Sequence, residues 1–264
     1  MIDGFTFKFS TPAPMKDGKV KIDPHPALDA IDKKLPVCID LGSAVGGFLL
    51  HHADKFDRIY CVEANFPNFI TTLKTIEENN FNHCTAFNLA ACSKNGKIRK
   101  ISWFDDWDPY SNSIVGEHIP ARIDDFNLKN MNKLGVLRYE VESPEEIANL
   151  IKSKSVSHSV LTISLEGIFE LLNIDRINYL KLDIEGSEFN FLHKKDLSRV
   201  DIISLEIHYD LLGESPSKQL LKYIKRCDFS IYHELMGKRK RGGLITFINN
   251  KRIKISDLGK LVWI

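Results

Sequence analysis

The chain has 264 residues, enough for one large domain or a domain with an insertion, but too few for two full ones. Hydrophobic residues make up 43% and charged residues 27%, the balance of a globular protein with a sizeable core. The net charge of +1 supplies no global field for nucleic acid, and every apolar run falls short of the roughly 20 residues of a membrane span. Neither nucleic acid nor a bilayer is therefore an expected partner.

Residues 1–35 carry Pro12, Pro14, Pro24 and Pro26 and read as an N-terminal arm, with a short helix near 27–34. Residues 36–264 read as one α/β domain. Its expected strands are 37–41, 59–62 and 85–89, and its expected helices 44–54 and 67–79. After the Asn95-Gly96 turn, 97–104 alternates like a strand, and 105–158 is an irregular insertion. The alternation resumes at 161–172, with strands at 179–184 and 200–207, and helices at 187–194 and 217–226. Segments 229–233 and 244–248 form a terminal hairpin. Strands alternating with helices imply a mainly parallel sheet covered on both faces, with ligands beyond the carboxyl ends of its strands.

The first residues, Met1-Ile2-Asp3-Gly4-Phe5, lack the basic start and apolar run of a signal peptide. Cys38, Cys61, Cys84, Cys92 and Cys227 are odd in number and form no CxxC pair, so they read as free thiols in a reducing compartment. The cytoplasm is the expected location.

Three stretches carry chemistry. In Asp40-Leu41-Gly42-Ser43-Ala44-Val45-Gly46, glycines sit between a strand and a helix, where they admit positive φ and let a ligand approach free N–H groups. The spacing lacks the third glycine of a dinucleotide fingerprint, and a tight turn without a ligand is the alternative. Glu63 ends the second strand about 20 residues on, where an acidic side chain accepts hydrogen bonds from ribose hydroxyls. The pair alone also describes an NAD-dependent oxidoreductase or epimerase, although the chain has no Tyr-x-x-x-Lys pair. The third stretch, Tyr179-Leu180-Lys181-Leu182-Asp183-Ile184-Glu185-Gly186-Ser187-Glu188, is a strand ending in carboxylates. Period-two alternation places Asp183 and Glu185 on one face, and Glu206 and His208 end the next strand likewise.

Ile39–Phe48, Val62–Phe69, Asn88–Gly96, Ile163–Ile168, Tyr179–Glu188 and Leu205–His208 occur in one order along the chain. Together they resemble the FkbM-type methyltransferases. Ala64 replaces a usual proline after Glu63, and Leu165-Glu166 stands for a usual leucine-aspartate. The resemblance implies a Rossmann-like class I methyltransferase fold over 36–264. It also implies S-adenosylmethionine as cofactor and S-adenosylhomocysteine as product. Asp40, Gly42, Ser43 and Gly46 are then expected to hold the methionine portion, Glu63 the ribose and Asn88 the adenine side. Asp183 and Glu185 face the sulfonium and the acceptor.

His208 is the candidate general base, since an ordinary pKa near 6.5 suits proton removal from a hydroxyl; a structural histidine is the equal alternative. No metal is expected, on the argument that the strand-end carboxylates pair with Lys181, although Asp183, Glu185, Glu206 and His208 have the chemistry of a divalent-metal site. The stretch 103–113, which ends in Ser111-Asn112-Ser113, has aromatics among aspartates, as in a sugar site or a loop pinned to the core. Lys238-Arg239-Lys240-Arg241 suits either an acceptor phosphate or, preferably, a solvated hairpin tip. The resemblance implies O-methylation of a small-molecule or carbohydrate hydroxyl, in glycan, capsular polysaccharide or natural-product biosynthesis. A non-catalytic nucleotide-binding scaffold is disfavoured by the acidic groups at Asp40, Glu63 and Asp183.

Overall fold

A computed structural model of the chain describes residues 25–104, 155–236 and 242–253. The arm up to residue 24, residues 105–154 with Ser111, Asn112 and Ser113, and the basic run at 238–241 lie outside them.

The elements are α1 (Pro26–Asp29), β1 (Leu35–Leu41), α2 (Gly47–His52), β2 (Phe56–Val62), α3 (Phe66–Glu78), β3 (Cys84–Phe87), β4 (Ala90–Ala91), β5 (Ile98–Phe104) and β6 (Ser155–Ile163). They continue with α4 (Leu165–Leu172), β7 (Ile177–Leu182), α5 (Glu188–Leu192), β8 (Val200–His208), α6 (Tyr209–Leu212), α7 (Glu214–Arg226), β9 (Phe229–Met236) and β10 (Gly242–Asn249). Seven strands form one sheet in the order β3-β2-β1-β7-β8-β10-β9. The first five run parallel, and β10 is antiparallel to both β8 and β9. Thus β10 is inserted between β8 and β9, and does more than close a hairpin with β9. A small second sheet, β4-β6-β5, stands beside it.

Strand alternation builds the core on both faces of the large sheet. Val37, Ile39, Leu41, Leu180, Leu182, Ile203 and Leu205 face one way, with Ile168, Phe191 and Leu220 from the covering helices. Cys38, Ile59, Cys61, Tyr179 and Ile202 face the other, under Leu28, Phe48 and Leu49. Each such side chain, fully buried, contributes about 1.5–3 kcal/mol. Helix α7 shows the matching helical stripe, with Ser217, Leu220 and Ile224 buried. Helix α1 is tied to β7 by His25, whose Nδ1 lies 3.0 Å from the Tyr179 hydroxyl.

The helix expected from residue 44 begins at Gly47 instead. Ala44 (φ 48°) and Gly46 (φ 83°) are left-handed, so 43–46 is a turn that cannot continue a right-handed helix. The β7 strand likewise ends at Leu182, before Asp183. All five cysteines are free thiols. Among the described residues, no helix is long and apolar enough to cross a membrane.

Strand β1 lies between β2 and β7, so the chain leaves it in one direction and returns on its other side. That reversal opens a crevice beyond the carboxyl ends of β1 and β7. Gly42 and Asp183 sit at its floor.

Candidate active site

The crevice is a cleft whose lining includes Gly42, Glu63, Ala64, Asp183, Ile184 and Glu185. The β1–α2 turn forms one wall. The Gly42 N–H donates to the Val62 carbonyl (2.9 Å), and the Asp183 N–H donates to the Leu41 carbonyl (3.0 Å). A Cβ on Gly42 would stand 1.7 Å from the Asp183 carbonyl oxygen, so only glycine allows this approach. Two threonines of α3 clamp the turn from behind. Thr72 Oγ1 donates to the Ala44 carbonyl (2.8 Å), and Thr75 Oγ1 to that of Val45 (2.9 Å). Gly46, left-handed, packs against Thr75. Neither threonine stood out in the sequence, where both read as ordinary helix residues.

Glu63 ends β2 and is 2% exposed. Its Oε2 accepts from the Ala44 N–H (2.9 Å) and its Oε1 from the Asn65 N–H (2.7 Å). Burial raises its pKa and the two backbone hydrogen bonds only partly offset this, leaving it pushed up to about 7. Asn88 braces the same corner, its Nδ2 donating to the carbonyls of Glu63 (2.9 Å) and Ala64 (3.1 Å). Ser43 is buried, and its Oγ has no hydrogen-bond partner.

Lys181, expected to pair with the strand-end carboxylates, pairs elsewhere. Residues 40 and 181 are direct neighbours across β1 and β7, and Lys181 Nζ lies 2.9 Å from Asp40 Oδ1 and 3.3 Å from the Gly42 carbonyl. The Asp40 side chain is wholly buried, so it underpins the glycine turn from within the sheet. Burial raises the Asp40 pKa and the attraction of Lys181 opposes this. Burial lowers that of Lys181, but the charges of Asp40 and Asp183 outweigh it and hold the ammonium protonated.

At the other end of the cleft, carboxylates converge on His208, which is 6% exposed. Its Nδ1 is 2.8 Å from Oε1 of the fully buried Glu188. Its Nε2 faces Glu185 Oε2 at 3.4 Å, Glu206 Oε1 at 3.7 Å and Asp183 Oδ1 at 3.8 Å. Asp183 and Glu185 do meet here, but not by strand alternation: Glu185 is left-handed (φ 51°) in the turn after β7. Burial lowers the His208 pKa, yet the Glu188 hydrogen bond and the charges of Glu185, Glu188 and Asp183 prevail and push it up to about 10. The surrounding carboxylates therefore favour the protonated form of the ring. This corrects the ordinary pKa assumed from the sequence. Glu188, which reads there only as a first-turn charge on a helix, is the residue that fixes the ring. It also accepts from the Gly186 N–H (3.1 Å).

Similar solved structures include the methyltransferase FkbM from Methylobacillus flagellatus KT, with 15% identity, TM-score 0.42, and coverage of 83% of this chain and 44% of that one. The chain thus spans less than half the length of that protein. M. capricolum TrmK, solved with S-adenosyl-homocysteine, shares 11% identity at TM-score 0.43 over 88% of this chain and 71% of that one. Aeropyrum pernix fibrillarin, solved with natively bound S-adenosyl-L-methionine, shares 10% identity at TM-score 0.42 over 82% of this chain and 67% of that one. Among curated proteins none matches. The sequence profile of the methyltransferase FkbM domain matches residues 3–231. The architecture is accordingly the Rossmann-like class I methyltransferase fold. By that match over most of its length, the chain belongs to the methyltransferase FkbM domain family.

Proposed function

We propose that the chain transfers a methyl group from S-adenosylmethionine to a hydroxyl of a small or carbohydrate acceptor, leaving S-adenosylhomocysteine. The observation that carries this reading is the hydrogen-bonding capacity left open at Glu63. A carboxylate has about four lone-pair sites. The N–H groups of Ala44 and Asn65 take two of them, one on each oxygen, which leaves two for the vicinal hydroxyls of a ribose. Ser43 Oγ, buried without a partner, sits in the turn assigned to the methionine end and is matched to a carboxylate or ammonium there. Asn88 fixes the wall on the adenine side.

When bound, the cofactor supplies a methyl group on a positively charged sulfur. The chain has to hold the acceptor oxygen in line with that methyl, within about 3–3.5 Å of its carbon. Asp183 and Glu185 present carboxylates at the cleft end, where they complement the positive charge and accept a hydrogen bond from the acceptor hydroxyl. As the C–O bond forms, the hydroxyl proton leaves along that hydrogen bond. His208 enters this reading as the cation that gathers the carboxylates, not as the base. An acidic rim favours a neutral polyol over a polyanion, which supports a sugar-like acceptor and opposes nucleic acid.

Thermal melts of the purified protein with S-adenosylhomocysteine, with NAD and with neither test the cofactor. Saturation at about 100 times the dissociation constant adds roughly 2.7 kcal/mol. A rise with S-adenosylhomocysteine alone, lost in Glu63→Ala, is the expected result; a rise with NAD alone sinks the proposal. Transfer of labelled methyl to a panel of sugars and phenols then tests the acceptor class.

A further inference from the structure

The carboxylate cluster around His208 extends beyond the cofactor cleft. Asp183 and Glu185 line that cleft, while Glu206, His208 and Glu188 are not part of its lining. Donor atoms of Asp183, Glu206 and His208 all lie within 4.8 Å of one another. Glu206 and His208 sit on β8, and Asp183 is the first residue after β7, with its N–H held by the Leu41 carbonyl.

The distances around the imidazole fall into two kinds. Nδ1 meets Glu188 at 2.8 Å, the length of a charge-assisted hydrogen bond. Nε2 stands 3.4 Å from Glu185, 3.7 Å from Glu206 and 3.8 Å from Asp183, all beyond the usual hydrogen-bond range. Donors each about 2.1 Å from one ion stand roughly 3.4–3.6 Å apart at tetrahedral or trigonal angles. The Nε2 separations are thus near those of ligands around a common ion. A histidine ligand also characteristically gives its other ring nitrogen to a carboxylate, which sets the tautomer and orients the ring. Glu188, wholly buried, occupies that position.

We propose that Asp183, Glu206 and His208 bind one divalent first-row cation through two carboxylates and Nε2, with Glu188 as positioning residue. One imidazole with two carboxylates suits Mn²⁺ or Zn²⁺. Binding of the ion does not depend on the methyltransferase reading. Its use does rest on that reading: beside the methyl-donor cleft, the ion orients an acceptor hydroxyl and lowers its pKa. Binding of the ion displaces the Nε2 proton of His208, whose freed lone pair is the ligand.

The test uses the full chain after chelator treatment. Mn²⁺ is titrated with the electron paramagnetic resonance signal of the free ion, and Zn²⁺ by competition with a colorimetric chelator. One equivalent of either ion is expected, with affinity reduced at least tenfold in Asp183→Asn and Glu206→Gln. In Glu188→Gln the reduction is about 10–100-fold, the usual cost of removing such a partner. Glu206 has a partly exposed side chain, so its variant keeps the test open where buried variants fail to fold by circular dichroism. Failure of both ions to bind, or equal binding by wild type and Glu206→Gln, overturns the site. Calorimetry with S-adenosylhomocysteine on the same metal-free protein separates the two claims. Cofactor binding without ion binding ends the cation proposal alone, whereas ion binding without cofactor binding leaves the site standing and ends the methyltransferase reading.

Discussion

Lys181 and Asp40 face each other across β7 and β1 with their charged atoms 2.9 Å apart, beneath the turn between β1 and α2. Removing one member of a buried pair leaves the other charge uncompensated, at about 3–5 kcal/mol. Lys181→Met should lower the unfolding free energy by that amount in urea. Asp40→Asn combined with Lys181→Met should recover part of the loss. A double variant no more stable than Lys181→Met would remove the pair as the explanation.

Gly42→Ala meets two obstacles. A left-handed alanine costs roughly 1–2 kcal/mol. Its Cβ would also collide with the Asp183 carbonyl, displacing the turn from β7. Gly96→Ala is the matched control, because Gly96 is also left-handed (φ 64°) but has nothing within 4 Å of the added carbon. The first variant should lose both stability and S-adenosylhomocysteine binding, and the second stability only. Melting temperature and calorimetry on the pair decide it.

In its proposed role at the ribose, Glu63 makes cofactor affinity depend on pH. Its pKa is pushed up to about 7, by burial foremost and also by the charges of Asp40 and Asp183. Only the ionised group keeps all its lone pairs for ribose hydroxyls. Affinity for S-adenosylhomocysteine should therefore rise roughly tenfold between pH 6 and 8, and stay level in Glu63→Gln. For the protein alone the sign is opposite. The folded state holds this proton more tightly than the unfolded chain, so Glu63's contribution is greatest below its unfolded pKa and is lost as pH rises through about 7.

His25 sets the acid limit. Burial first, then the charges of Lys181 and His52, lower its pKa to about 3. His52 is lowered to about 4, chiefly by burial. Both are neutral when folded, so their stability is complete above their unfolded pKa near 6.5. It is lost as pH falls towards 3–4, at up to about 1.4 kcal/mol per pH unit for each histidine. The urea midpoint should drop between pH 7 and 4, with a shallower slope in His25→Gln. An unchanged slope would exclude His25 as the titrating group.

The parallel strands were legible because β1, β7 and β8 are buried on both faces and so appear as predominantly apolar runs. The glycine turn and Glu63 were legible for the same local reason: each lies at a strand end. The partner of Lys181 was not, because its pairing with Asp40 depends on the register between two strands far apart in sequence. The protonation of His208 was hidden in a similar way. Its carboxylates come from the β7 turn, from α5 and from its own strand, and only packing assembles them. The late start of α2 was missed because Ala44, a good helix former, takes a left-handed conformation there, with its carbonyl held by Thr72.

In the small sheet, Phe104 of β5 and Ser155 of β6 are register partners, so the chain departs for residues 105–154 and returns at one paired position. Such a junction behaves as a socket. Loop-closure entropy grows only with the logarithm of length, about 0.6 kcal/mol for each doubling, so the span across this pair can lengthen or shorten at little cost. A change of length between Phe104 and Ser155 therefore leaves in place the strands that lead to Glu63, Asp183 and His208.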